Sequence, residues 1–175
     1  GGTKGAVCDL SSKYIVSCGD DNQIKIWNIN DSIANSPLPT TTYTSKQNLN
    51  SLDHSWLEDK FVTTGKVVQI WNYERSSPIM TLQWNIDSFL NAKFNPSEPN
   101  IIATTDMDRG ITIYDIRGKN PLSKTILLNK SYGLSWNPQE PLNFTVANDD
   151  SNCYSFDMRK IEVPKMIHKD HIQAV

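Results

Sequence analysis

A ten-residue motif returns through this chain with a period in the low forties, and that recurrence leaves few architectures open. Asp150 to Arg159 reads Asp-Ser-Asn-Cys-Tyr-Ser-Phe-Asp-Met-Arg, and Asp108 to Arg117 reads Asp-Arg-Gly-Ile-Thr-Ile-Tyr-Asp-Ile-Arg. Asp21 to Asn30 reads Asp-Asn-Gln-Ile-Lys-Ile-Trp-Asn-Ile-Asn. A fourth copy, Gly65 to Glu74, keeps the strand and its aromatic but has Gly65 where the others have Asp. The aromatics Trp27, Trp71, Tyr114 and Phe156 are spaced by 44, 43 and 42 residues, and each Asp precedes its aromatic by six. Every copy is a turn followed by a strand with polar and apolar residues in alternation, the pattern of a strand with one packed face.

The segments between the copies supply the other strands. Ala6–Leu10 and Tyr14–Cys18 precede the first copy, and Leu49–His54 and Lys60–Thr64 precede the second. Outer strands are expected at Thr40–Thr44 and Ile79–Trp84, and the third strand of the second copy at Lys66–Trp71. Phe94-Asn95-Pro96-Ser97-Glu98-Pro99 matches Trp136-Asn137-Pro138-Gln139-Glu140-Pro141 at a distance of 42 residues, with Asn-Pro forcing a turn after an aromatic. Pro78, Pro121 and Pro164 recur at steps of 43 and are each expected to open an outer strand, where a missing N–H costs least. Asn28 to Asn50 is rich in Asn, Ser, Thr and Pro and reads as a rim insertion. Four short strands per period of this length are the pattern of WD-repeat propeller blades. The expected fold is all-β: a WD-repeat β-propeller, with about four consecutive four-stranded blades at 1–46, 47–88, 89–130 and 131–170. Residues 171–175 would open a further blade, so the chain reads as part of a longer, seven-bladed propeller. A four-blade piece on its own is expected to aggregate, self-associate or close through a partner, since each blade buries its face against a neighbour.

Seventeen basic and 19 acidic residues leave a net charge of −2, which gives no electrostatic footprint for nucleic acid or an anionic membrane. No apolar run approaches the roughly 18 residues of a membrane span, and no signal peptide is visible. Cys8, Cys18 and Cys153 lie in strand-like stretches without zinc spacing and are expected to be buried, reduced thiols.

Asp21, Asp108 and Asp150 could be taken for catalytic carboxylates, but their place in the turn favours a structural task. In WD repeats such an Asp accepts hydrogen bonds and joins a network with a His, a hydroxyl and the strand aromatic. Ser17 and Thr104 are candidates for the hydroxyl, and His171, after Asp170, for the imidazole of the last blade. His54 and His168 read as isolated, with no Ser or Cys motif to use them as a base, and no catalytic or phosphate-binding motif occurs. Trp56 and Trp84 fall off the aromatic period and are either core fillers or exposed anchors. No catalytic, metal-binding or cofactor-binding residue is assigned, and no cofactor or small-molecule substrate is expected. Asp115-x-Arg117 and Asp157-x-Arg159 directly follow their aromatics on adjacent blades. Each Arg can simply pair with a nearby carboxylate, an exposed contact contributing about 0–1 kcal/mol. Alternatively, the two planar guanidinium groups form a protein-docking patch. That arrangement resembles the double box through which WD-repeat substrate receptors engage the linker protein of cullin-RING ubiquitin ligases.

From Val67 to Val175 the chain resembles the suppressor-of-fibrillarin WD-repeat family. The carrying residues are Gln69-Ile70-Trp71, Lys93-Phe94-Asn95-Pro96, Tyr114-Asp115-Ile116-Arg117, the run from Phe144 to Arg159, and His168 to Val175. A weaker likeness covers Gly5 to Trp27. The resemblance implies a non-enzymatic scaffold of the small-subunit processome in the nucleolus of the nucleus. Its partners would be other processome proteins and the small nucleolar ribonucleoprotein, with pre-rRNA contact not evident from the charge. A second role as a ubiquitin-ligase adaptor is also implied. Further blades on both sides and a basic C-terminal extension belong to the family pattern and are not in this sequence.

Overall fold

The computed structural model describes residues 2–30, 38–83, 87–118, 120–169 and 171. Among them all regular structure is β-strand, arranged as four antiparallel four-stranded sheets in simple meander order. The first holds β1 (Thr3–Cys8), β2 (Tyr14–Gly19), β3 (Gln23–Asn28) and β4 (Thr41–Thr44). The second holds β5 (Ser51–His54), β6 (Lys60–Thr64), β7 (Val68–Asn72) and β8 (Met80–Leu82). The third holds β9 (Phe89–Phe94), β10 (Ile101–Asp106), β11 (Gly110–Asp115) and β12 (Pro121–Ile126). The fourth holds β13 (Ser131–Trp136), β14 (Asn143–Asn148), β15 (Cys153–Asp157) and β16 (Met166–His168). The inner strands β1, β5, β9 and β13 touch in succession, so the sheets fan from one side as WD-repeat propeller blades do.

Apolar side chains fill the three seams between sheets. Val16, Ile24, Ile26, Phe61 and Trp71 close the first seam, and Val62, Ile70, Phe94, Ile102 and Tyr114 the second. Ile111, Ile113, Trp136, Phe144 and Phe156 close the third. Trp71, Tyr114 and Phe156 occupy matching positions on β7, β11 and β15, each fully buried against the preceding sheet. Trp27 holds the same place on β3 but is only half-buried, since no described sheet packs on that face.

The corner between second and third strands also repeats. Asn22, Arg109 and Ser151 sit at the same register and all adopt the left-handed conformation, with φ of 59°, 67° and 64°. A left-handed residue closing a short hairpin loop matches the right-handed twist of the strands it joins. The second sheet departs from this. Its corner is two residues shorter, pinned by the Gln47 side chain, whose Oε1 accepts from Val67 N at 2.8 Å and whose Nε2 donates to Val67 O at 3.0 Å. A Cβ on Gly65 would strike the Asn48 carbonyl, so only glycine fits.

Several strand limits differ from the sequence reading. β1 starts earlier and stops at Cys8, because the Asp9 carboxylate turns the chain by accepting from Lys13 N and Tyr14 N, both at 2.9 Å. Pro121 opens β12, whereas Pro78 and Pro164 lie two residues ahead of β8 and β16. Trp84 lies outside the described residues. Of the cysteines only Cys18 is buried; Cys8 is exposed and Cys153 intermediate, because each sits on a sheet face that no other described sheet covers.

Candidate protein-docking site

One end of the fan carries the turns after each first strand and each third strand. The first-strand turns share one device, a side-chain oxygen at their opening residue that accepts from backbone N–H groups two or three residues on. Asn95 Oδ1 accepts from Ser97 N at 2.9 Å and Glu98 N at 3.0 Å, and Asn137 Oδ1 from Gln139 N and Glu140 N at 3.0 and 3.3 Å. Ser55 Oγ serves Leu57 N and Glu58 N, both at 3.3 Å, and Asp9 opens the equivalent turn. Such local caps explain why Asn, Asp and Ser stand there. The turns are tied across seams: Asn95 Nδ2 donates to Pro141 O at 2.7 Å, and Asp53 accepts from Phe94 N and pairs with Lys93 Nζ, both at 2.9 Å.

The third-strand ends carry the two Asp-x-Arg pairs, and they are near copies. Asp115 Oδ1 accepts from Arg117 N at 2.9 Å, and its carboxylate receives Arg117 Nε at 2.9 Å and Nη2 at 2.6 Å. Asp157 repeats this with Arg159 N at 2.9 Å, Nε at 2.9 Å and Nη2 at 2.5 Å. In the first sheet Asn28 Oδ1 caps Asn30 N at 3.0 Å, so the turn itself needs only a side-chain oxygen, not a charge. The carboxylates at 115 and 157 therefore add a second task, fixing a guanidinium in one plane. The Arg117 and Arg159 side chains remain 70% and 67% exposed, with the rest of each fork free to meet an acceptor. Hydrogen bonds from Arg117 hold the Asp115 carboxyl below the usual range, and those from Arg159 hold Asp157 at about 2. As intramolecular contacts these exposed, solvent-screened pairs add little to the stability of the fold. What they supply is two pre-oriented cations on adjacent blades.

The turn carboxylates at the opposite end behave less uniformly. Asp21 accepts from Gln23 N at 3.2 Å and Lys25 Nζ at 3.0 Å, and Asp150 from Asn152 N at 3.1 Å and the Tyr154 hydroxyl at 2.6 Å. Asp108 is exposed, and the carboxylate that bonds in its turn is the buried Asp106, which accepts from Gly110 N at 2.8 Å. Nothing in the repeat spacing marks Asp106, two residues earlier, as the turn acceptor. Trp27 Nε1 donates to Ser17 Oγ at 2.8 Å, and Trp71 Nε1 to Thr63 Oγ1 at 3.0 Å. Thr104 instead donates to Thr112 O at 3.4 Å. In the fourth sheet Val146 takes the hydroxyl's place as Phe156 takes the indole's, so donor and acceptor are lost together. His171 is exposed, and Asp170 beside it lies outside the described residues.

Neither of the other two histidines is isolated. His168 Nε2 lies 3.3 Å from Ser155 Oγ, which lies 2.8 Å from Thr145 Oγ1, a polar ladder across β14, β15 and β16. His54 is buried beside Tyr73 and Ser55. Among the described residues no group of three His, Cys, Asp or Glu side chains could hold a metal ion, and no helix is long and apolar enough to cross a membrane.

No protein-family model matches the chain. It is 41% identical over 158 residues to the zebrafish (Danio rerio) protein called DDB1- and CUL4-associated factor 13, covering 90% of this chain and 36% of that protein. It is 32% identical over 180 residues to Protein SOF1 of Saccharomyces cerevisiae, covering 95% and 37%. A Dictyostelium discoideum protein, also called DDB1- and CUL4-associated factor 13, is 35% identical over 184 residues, covering 100% and 40%. The chain thus spans less than half the length of these relatives.

Proposed function

Because the chain belongs to the SOF1-like WD-repeat family, we propose that it forms part of a non-catalytic scaffold in ribosome biogenesis, working in small-subunit rRNA processing within the nucleolar small-subunit processome. The observation that carries this reading is the family assignment, which runs through all four sheets. A frame of rigid blades with independent turns at both ends suits a scaffold, since several proteins can be held at once. Processome proteins and the small nucleolar ribonucleoprotein are the expected partners. The near-neutral charge gives no reason to assign direct pre-rRNA contact to these blades. Depleting the full-length protein should cause early small-subunit precursor RNA to accumulate, and a tagged copy should concentrate in nucleoli. Normal precursor levels together with a diffuse cytoplasmic signal would overturn the reading.

A second role, adaptor of a cullin-RING ubiquitin ligase, is favoured by one specific feature: the matched, outward-facing Arg117 and Arg159. The names of the zebrafish and Dictyostelium relatives point the same way. Reversing both charges, Arg117→Glu with Arg159→Glu, should abolish pull-down of the ligase linker protein and leave processome association unchanged. Linker binding that survives the double reversal would remove the adaptor role from these residues.

A further inference from the structure

The outer strand of the third sheet turns an apolar stripe to solvent. From Pro121 to Leu128 exposure alternates strictly, and the exposed positions are Leu122, Lys124, Ile126 and Leu128. The three aliphatic side chains are 57%, 63% and 88% exposed. This sheet has a described neighbour on each side, so a missing blade is not the reason. Ser123 and Thr125 lie opposite Ile113 and Ile111 on the face of the third seam, whereas Lys124 and Ile126 lie opposite Thr112 and Gly110 on the other face. The apolar filling of the second seam takes in Tyr114 and Ile116 but neither Leu122 nor Ile126.

The backbone of the same strand is open. β12 runs for six residues, against four in β4 and three in β8 and β16, and it pairs with β11 alone. Leu127 N donates to Arg109 O at 3.0 Å. Antiparallel alternation then aims the backbone groups of Ser123 and Thr125 at β11 and those of Lys124 and Ile126 away from the sheet. A row of outward N–H and C=O groups beside exposed aliphatic side chains is a template for another strand. The single charge in the stripe selects the occupant. Lys124 makes no ion pair among the described residues. A second copy, paired in the register that joins Leu122 to Ile126 on both sides, would set the two Lys124 side chains opposite each other. Like charges directly opposite are destabilising, whereas a carboxylate in that place is favourable.

We propose that β12 takes up an extended segment of a protein partner as an antiparallel fifth strand, and that the segment carries the pattern aliphatic–x–acidic–x–aliphatic. Residues directly opposite share a face, so alternate side chains of the segment meet Ile126, Lys124 and Leu122. Backbone bonds at Lys124 and Ile126 supply affinity, and the carboxylate opposite Lys124 supplies selection. The edge lies on the rim, not among the turns that carry Arg117 and Arg159, and does not rest on the role given to them.

The test uses the capped, fluorescently labelled peptide Thr-Val-Thr-Glu-Thr-Val-Thr, titrated with the full-length protein and followed by anisotropy. Saturable binding is expected, weakened about three- to tenfold by Lys in place of the peptide's Glu or by Lys124→Glu in the protein. Combining the two reversals should restore it. N-methylation of the peptide's Glu amide, which would face β12, should lower affinity roughly tenfold, and N-methylation of the adjacent Thr amide should not. The protein variant is at an exposed position, so folding does not confound the result. No saturable binding, no rescue by the double reversal, or equal loss from the two methylations would each overturn the proposal. A dimer that Ile126→Lys dissociates, in a protein that ignores the peptide, would assign the edge to a second copy and overturn it as well.

Discussion

The second and third sheets solve one corner in two ways. In the third, a buried carboxylate, Asp106, bonds the backbone at Gly110, and Arg109 takes a left-handed conformation. In the second, the corner is shorter, holds no carboxylate, and is clamped from outside by Gln47, a side chain that arrives from the preceding sheet's connection. The lesson is that the repeat conserves a geometric task rather than a residue. A backbone must reverse beside a packed seam, and its N–H and C=O groups must find partners.

That contrast can be broken or sharpened by substitution. The largest effect is expected for Gly65→Ala, because the added methyl meets the Asn48 main-chain carbonyl as well as the Gln47 amide. A loss of about 2–3 kcal/mol in chemical denaturation is expected, and Gln47→Ala should not restore it, since the carbonyl remains. At Gly110 the obstacle is only the Asp106 side chain. Gly110→Ala should cost about 1–2 kcal/mol, and combining it with Asp106→Gly should cost less than the two changes summed. Strict additivity of the pair would refute this account of the third corner.

A milder comparison sets the second sheet against the fourth. Trp71 donates to Thr63 across the second sheet, whereas Phe156 and Val146 make the same contact without polar atoms. Val146→Thr should destabilise by about 1 kcal/mol, since a hydroxyl would be buried opposite a ring that offers no partner. Adding Phe156→Trp should recover part of the loss, and a double variant no better than the single one would count against the pairing.

The smallest effects are electrostatic and opposite in sign. Hydrogen bonds from Arg159 hold Asp157 at about 2, so its contribution is present above the unfolded value of about 3.9 and fades as pH falls through the folded value. Burial pushes Asp53 upward, so its contribution is full below the unfolded value and is lost as pH rises through the folded one. Carboxylate titration by NMR should show Asp53 protonating at a higher pH than Asp157. The reverse order would mean that the contacts from Lys93 and Phe94, which favour the charged form, outweigh burial at Asp53.

The frame was legible because it repeats. The period of Trp27, Trp71, Tyr114 and Phe156 locates four equivalent third strands, and Asn-Pro in two of the blades marks first-strand turns that all four share. The Asp-x-Arg pairs were visible for the same reason, as one local pattern occurring twice. Contacts between sheets were not visible. Asp53 meets Lys93, and Asn95 meets Pro141, across separations of 40 and 46 residues that no short motif marks. The repeat spacing pointed to Asp108 and left Asp106 unmarked, because spacing counts residues but does not tell which side of a strand end faces the seam. His54 read as isolated because its bond to the Ser55 carbonyl and its ring contact with Tyr73 exist only once the chain has folded.

The ties across the seams have a mechanical consequence. Inner strands touch their neighbours in succession, and Asn95 and Asp53 lace adjacent turns together, while the outer strands pair chiefly with their own third strands. Force applied at one turn should pass tangentially along the inner hoop, and the rim should loosen first, petal by petal. Amide hydrogens of β8 and β16 are then expected to exchange with solvent well before those of β5 and β9.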